Sequence, residues 1–210
     1  MSLLRPFGFY AVLTNPVKGY EYLTEMFVAH RIRYIQLRMK KADKAVVLSM
    51  AEKLRKLTLG TESLFIVNDD PDIARLCEAD GVHLGQDDLS FSEARQLLGP
   101  DKVIGLSTHN PIQVSTACAL NPAYIGMGPV FKTPTKEKAD PVIGLSGLQE
   151  MAALATVPGV AIGAIDETNL RDVLHHGARN FCSVRPINQS QEPEKVLKRL
   201  LAIYAEATLF

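Results

Sequence analysis

Short strand-like runs and longer stretches of helical periodicity alternate about eight times along this chain, with no linker-like composition between them, which is the sequence signature of parallel βα units. The strand-like runs are Phe9 to Leu13, Tyr34 to Arg38, Leu64 to Asn68, Gly81 to Leu84, Val103 to Ser107, Tyr124 to Gly128, Val160 to Ile162 and Phe181 to Val184. The clearest helix is Ala45 to Leu57, where Val46, Val47, Met50, Leu54 and Leu57 recur at three- and four-residue spacings. Pro111 after Asn110 and Pro193 after Glu192 stand where a first helical turn tolerates proline. Eight such units predict an α/β fold, a (β/α)8 TIM barrel with parallel strands; a doubly wound open sheet is the alternative. With 210 residues, 47% of them hydrophobic, the chain can bury one sizeable core, so residues 1–210 are expected to form a single domain.

A barrel of this kind collects its chemistry at the C-terminal ends of the strands. Those ends are polar here: Gln36-Leu37-Arg38-Met39-Lys40, Asn68-Asp69, Gln86-Asp87-Asp88, Ser107-Thr108-His109 and Gly126-Met127-Gly128. The runs Leu64 to Asp70 and Asp80 to Asp88 each deliver carboxylates where a buried strand surfaces, which suits an oxygen site for a hard divalent cation. Mg²⁺ keeps several waters, takes one or two carboxylates and fills the rest with substrate phosphate oxygens, so the pair predicts a diphosphate-bearing substrate. One Asp-Asp after an apolar run is ordinary turn or helix-cap chemistry; two in tandem weigh against that reading. Strand alternation would turn Gln36, Arg38 and Lys40 one way and Leu37 and Met39 the other. Arginine then forks two phosphate oxygens while lysine supplies a point charge.

The segment from Gly126 to Pro141 is too long and irregular for a mere connector and reads as a lid or binding loop. Thr133 and Thr135 offer hydroxyls there, and Lys136 a charge. The histidines read more plainly. His83 lies inside strand four in a core or supporting role, His109 belongs to a loop, and His175-His176 sits late in a helix where a cation suits the dipole.

Lys plus Arg and Asp plus Glu are 23 each, so no global basic field exists to hold nucleic acid. No run approaches the roughly 20 apolar residues of a membrane helix, and Met1 to Leu13 lacks the pattern of a secretory leader. Cys77, Cys118 and Cys182 are odd in number and far apart, without zinc-ligand spacing; they read as buried thiols in a reducing cytoplasm. The partners expected are small phosphorylated molecules, with room for a homo-oligomer.

The runs QLRMKK (36–41), NDD (68–70), ADGVHLGQDDL (79–89), IGLSTHN (104–110), YIGMGPVFKTPTK (124–136) and AIGAID (161–166) together resemble the thiamine phosphate synthase family, in the family's order and over nearly the whole chain. The related thiazole tautomerases share the barrel but typically lose the acidic metal motifs and carry a histidine where Pro129 stands. The resemblance implies a transferase that joins hydroxymethylpyrimidine diphosphate to thiazole phosphate and releases diphosphate. It implies Mg²⁺ on Asp69 and Asp88; Asp70 and Asp87 are then expected to serve in turns or to support those ligands. It also implies pyrimidine diphosphate contacts from Gln36, Arg38, Lys40, Asn68, Ser107 and Lys136, of which Arg38, Lys40, Ser107 and Lys136 carry the catalytic work. Thiazole phosphate contacts match Thr133, Thr135 and the backbone around Ala164, Val184 and Arg185.

Three departures from the family pattern stand out. Met39 replaces a glutamate on the side turned from the mouth. Ala164 replaces a glycine that lets backbone N–H approach a phosphate, and fits if its φ is negative. Arg185 replaces a small serine, where it either forks the thiazole phosphate or fills its site. An isomerase of the tautomerase type and a non-catalytic pyrimidine diphosphate binder are the alternative functions.

Overall fold

Eight parallel strands close into a barrel in sequential order, β1 against β8 completing the ring, in a computed structural model that describes residues 6–133 and 140–208. The strands are β1 (Gly8–Leu13), β2 (Tyr34–Leu37), β3 (Leu64–Asn68), β4 (Gly81–Leu84), β5 (Val103–Thr108), β6 (Tyr124–Met127), β7 (Gly159–Ala161) and β8 (Asn180–Phe181). Helices α1 (Tyr20–Ala29), α2 (Lys44–Thr58), α3 (Pro71–Leu76), α4 (Phe91–Leu98), α5 (Pro111–Ala119), α6 (Gly144–Leu154) and α7 (Leu170–His175) follow strands one to seven. After β8 come the short α8 (Arg185–Asn188) and the long α9 (Pro193–Thr208). The closed ring settles the choice between barrel and open sheet.

Strand period two divides the core in two. Outward residues such as Phe9, Ile35, Val67, Val82, Ile104, Ile125 and Phe181 pack against helix residues including Phe27, Leu54, Ile73, Leu148 and Leu197. Inward residues Tyr10, Val12, Tyr34, Ile66, Tyr124, Val160 and Cys182 fill the barrel, which is a packed interior and not a pore. Gly105 on β5 makes room for the largest of them, because a Cβ there would lie 2.1 Å from Tyr124 Cζ.

Helix starts follow their sequence signals. Asn110 caps α5 by accepting from Gln113 N at 2.9 Å, with Pro111 in the first turn. Ser90 and Glu93 form a capping box at α4. The helix expected over Ala45 to Leu57 extends one residue further at each end.

The expected eighth strand, Phe181 to Val184, is displaced: only Asn180 and Phe181 pair. Two asparagine side chains do the bonding that so short a strand leaves undone. Asn180 Oδ1 accepts from Phe7 N and Gly8 N at 2.7 and 3.1 Å, while its Nδ2 donates to Gly159 O at 3.0 Å, tying β8 to both neighbours. Asn188 accepts from Thr14 N at 2.9 Å and donates to Val12 O and Val184 O at 2.8 Å each. Thus the closure lies in buried amides that strand periodicity does not report.

Cys77 and Cys182 are buried free thiols, whereas Cys118 is only half-buried because it packs at the rim of the outer core. Among the described residues, no helix is long and apolar enough to cross a membrane.

Candidate functional site

The C-terminal mouth is built first from β3 and β4. Asp69, just past β3, adopts φ 66, a left-handed conformation that aspartate tolerates better than most residues. Its N–H donates to His83 O at 2.8 Å, and that bond fixes the turn against β4. Asp88 folds back over the turn after β4, its Oδ2 accepting from Gly85 N at 2.6 Å. The two carboxyls meet. Burial raises the Asp88 carboxyl above its ordinary range, and contact with Asp69 raises it further, against the opposing influence of the Gly85 N–H and of Lys40.

Lys40 makes an ion pair with Asp69. Arg38 is half-buried beside them; burial lowers its guanidinium from the ordinary value and the Asp69 charge opposes the shift. β2 ends at Leu37, so strand alternation does not itself orient these two cations, yet they reach the mouth. Met39, expected to turn away from it, packs partly against the outer core but also lines the cleft beside Lys40, because the chain past β2 no longer alternates. Lys44 pairs with Asp70 at 2.9 Å and Asp72 at 2.8 Å, and these bonds raise its ammonium well above the ordinary value. A cleft of about 210 Å³ runs between these loops, lined by Lys40, Lys44, Asn68 and Asp69 among others. Asp70 is thereby engaged in an ion pair at the N-terminus of α3, and Asp87 is exposed.

Two touching carboxylates with a cation against one of them form an oxygen-only donor set that fits Mg²⁺. No group of three or more His, Cys, Asp and Glu side chains converges as a metal centre among the described residues. Two is the number that Mg²⁺ takes from protein when phosphate oxygens and waters complete its shell.

Ser107 sits half-buried near the end of β5, and its carbonyl accepts from Gln86 Nε2 at 2.5 Å. Gln36 lies deeper than the mouth, 4% exposed, with Nε2 donating to Tyr10 Oη at 3.0 Å. His83 bridges Tyr124 Oη at 3.2 Å and Ser107 Oγ at 2.9 Å, a supporting role of the kind its place in β4 suggested. His109 serves the loop: its Nδ1 meets Gly128 O at 2.5 Å and its Nε2 faces Asp140 at 3.5 Å. Tyr10 and Tyr124 escaped the sequence reading. Their inward register on β1 and β6 was the signal available.

On the opposite side of the mouth, Val130 N donates to Ile162 O at 2.8 Å and Phe131 N to Gly163 O at 3.2 Å, which docks the loop after β6 onto the end of β7. A Cβ on Gly163 would lie 2.6 Å from Val130 N. Ala164 does not have the negative φ its side chain prefers. It is exposed with φ 48, because the close docking of Gly163 leaves the chain a left-handed turn that Asn169 Nδ2 holds by donating to Ala164 O at 3.0 Å. Val184 is half-buried and Arg185 exposed at the start of α8, and Thr133 is half-buried after β6. Thr135 and Lys136 lie outside the described residues.

Residues 10–187 match the family model described as thiamine monophosphate synthase. The chain is similar to a thiamine-phosphate synthase of Gloeobacter violaceus, with 42% identity over 87% of this chain and 53% of that relative. It is 38% identical to the thiamine-phosphate synthase of Shouchella clausii over 98% of this chain and all of that one. It thus spans only about half the length of some curated relatives and the full length of another. Among solved structures, a thiamine phosphate pyrophosphorylase from Pyrococcus furiosus superposes with a TM-score of 0.86 at 28% identity, over 96% of this chain and 97% of that one.

Proposed function

The chain belongs to the thiamine monophosphate synthase family, and on that premise we propose that it is a Mg²⁺-dependent transferase joining hydroxymethylpyrimidine diphosphate to thiazole phosphate, with release of diphosphate. The observation that carries the reading is the meeting of Asp69 and Asp88 from separate strands, with Lys40 and Arg38 beside them. When held by Asp69 and Asp88, Mg²⁺ supplies neutralising charge for the leaving diphosphate. Arg38 and Lys40 bind the same diphosphate oxygens, the first as a fork and the second as a point charge. Asn68 and Ser107 add hydrogen bonds at the strand ends. Thr133 and the backbone around Ala164, Val184 and Arg185 take the thiazole phosphate, while Thr135 and Lys136 carry over from the sequence pattern alone.

Breaking the C–O bond to diphosphate leaves a cation stabilised by the pyrimidine ring, and the thiazole nitrogen captures it. The residues therefore need to stabilise a departing anion and orient a nucleophile, without a strong general base. A reducing cytoplasmic setting suits the three free thiols, one of them half-buried.

The test is incubation of the protein with both substrates, with and without Mg²⁺, reading thiamine phosphate by chromatography. No product under any condition would overturn the reaction, and undiminished product after chelation would overturn the metal.

A further inference from the structure

A hydrogen-bonded chain crosses the barrel beneath the mouth: Gln36 to Tyr10 at 3.0 Å, Tyr10 to Tyr124 at 2.5 Å, Tyr124 to His83 Nδ1 at 3.2 Å and His83 Nε2 to Ser107 Oγ at 2.9 Å. We propose that Tyr10, Tyr124 and His83 are positioning residues that fix His83 as its Nε2–H tautomer, so that Ser107 accepts from His83 and keeps its own proton to donate toward bound diphosphate. The role of Ser107 rests on the transferase reading above; the tautomer does not.

The polarity follows from Gln36. An amide nitrogen donates and does not accept, so Tyr10 Oη must accept from it. Among the described residues, Tyr10 Oη meets two partners, Gln36 and Tyr124, so its own proton goes to Tyr124 Oη. The Gln36 side chain also bonds Tyr124 Oη and lowers the phenol's value, as a donor does, so the Tyr124 proton goes to His83 Nδ1, which leaves the proton of a neutral ring on Nε2. Run the other way, the chain would deliver two protons to Tyr10 and leave the Tyr10 proton buried without an acceptor, an arrangement that protein interiors avoid.

Packing holds the chain in place. Tyr10 and Tyr124 are 3% and 1% exposed, and the His83 ring stacks on Tyr124 at 5.5 Å with 13° between planes. Burial pushes both phenols well above their ordinary values, so they stay protonated and able to donate. Ser107 lies two residues nearer the C-terminal end of β5 than Gly105, the residue paired with His83. Accepting from His83 leaves the Ser107 hydroxyl its own proton, which makes it a donor toward an anion and not a second acceptor competing with it.

The experiment is a long-range ¹H–¹⁵N correlation spectrum of the histidine rings in the ligand-free full chain at about pH 8, where an ordinary imidazole is neutral. The His83 signals are assigned by their loss in His83→Gln. A pyrrole-type Nε2 and a pyridine-type Nδ1 are expected, with Nδ1 shifting in Tyr124→Phe. In turnover, His83→Gln presents an amide donor in place of Nε2–H and should stay within about tenfold of wild type, whereas His83→Leu should fall well below it, with KM for thiazole phosphate little changed in either. A His83 ring protonated on Nδ1 in the wild-type spectrum would overturn the polarity, because the Gln36 amide would then have to be turned round. Equal losses in the glutamine and leucine variants would overturn the positioning role. If neither wild type nor variants turn over, the transferase reading fails while the spectrum still decides the tautomer.

Discussion

Gly105→Ala is expected to destabilise the protein by about 2–6 kcal/mol, although it adds one methyl group. The new Cβ would lie 2.1 Å from Cζ, 2.4 Å from Cε2 and 2.5 Å from Oη of Tyr124. Carbon atoms pack at about 3.5–4.0 Å, so the ring must retreat by more than about 1 Å. It has nowhere to go: it is fully buried, with Tyr10, Tyr34 and His83 at centroid distances of 5.1, 5.3 and 5.5 Å. Overpacking of this kind costs about 1–3 kcal/mol, and moving the hydroxyl off Tyr10 and His83 leaves buried polar groups unpaired at about 1–3 kcal/mol more. Against a typical stability of about 5–15 kcal/mol that is a large fraction. Urea unfolding should show a lower midpoint at unchanged slope. In a Tyr124→Leu background, where the ring is gone, the same substitution should cost less than about 1 kcal/mol, giving a coupling of at least about 1 kcal/mol. Equal costs in the two backgrounds would refute the reasoning.

Asp69→Asn and Asp88→Asn should each lose turnover at ordinary Mg²⁺, with weaker pyrimidine diphosphate binding by calorimetry; full activity in either would remove it from the metal site. Ala164→Gly should stabilise by about 0.5–1 kcal/mol, since relief of a left-handed alanine outweighs the added freedom of the unfolded chain, and a rise in the urea midpoint checks it. Asn180→Ala strands two backbone N–H groups and one carbonyl, so a loss of about 2–4 kcal/mol in the same assay is expected. Arg185→Ser should weaken thiazole phosphate binding by about one to two decades while sparing pyrimidine diphosphate, read by titration with each separately; tighter binding would mean that the side chain fills the pocket.

The strand ends show how far the sequence reaches. Alternating runs such as Leu64 to Asn68 carry their own periodicity, and the pairing of β3 with both neighbours follows from burying Phe65 and Val67 outward and Ile66 inward. The acidic stops at Asp69 and Asp88 were visible for the same reason, since a strand that turns from apolar to acidic must be leaving the core. The eighth strand was not legible. Its pairing shrinks to Asn180 and Phe181 because asparagine amides distant in sequence from their partners take over the closure, and side-chain to backbone bonds leave no periodic trace.

The backbone at Ala164 was equally hidden, because a residue's φ there depends on how closely Gly163 must approach Val130, a contact between loops 33 positions apart in sequence. Sequence alone therefore determined the parallel βα repeat, the inward and outward faces and the residue types at the mouth, all of which are local patterns of burial. Only the tertiary structure decided that the carboxyls of Asp69 and Asp88 touch, and that Gln36 looks down to Tyr10. The same holds for the glycine on β5, which opens space for a tyrosine joining His83 to the far wall of the barrel. Hydrogen bonds across a closed ring depend on which strands become neighbours and at what register, and no single strand encodes that.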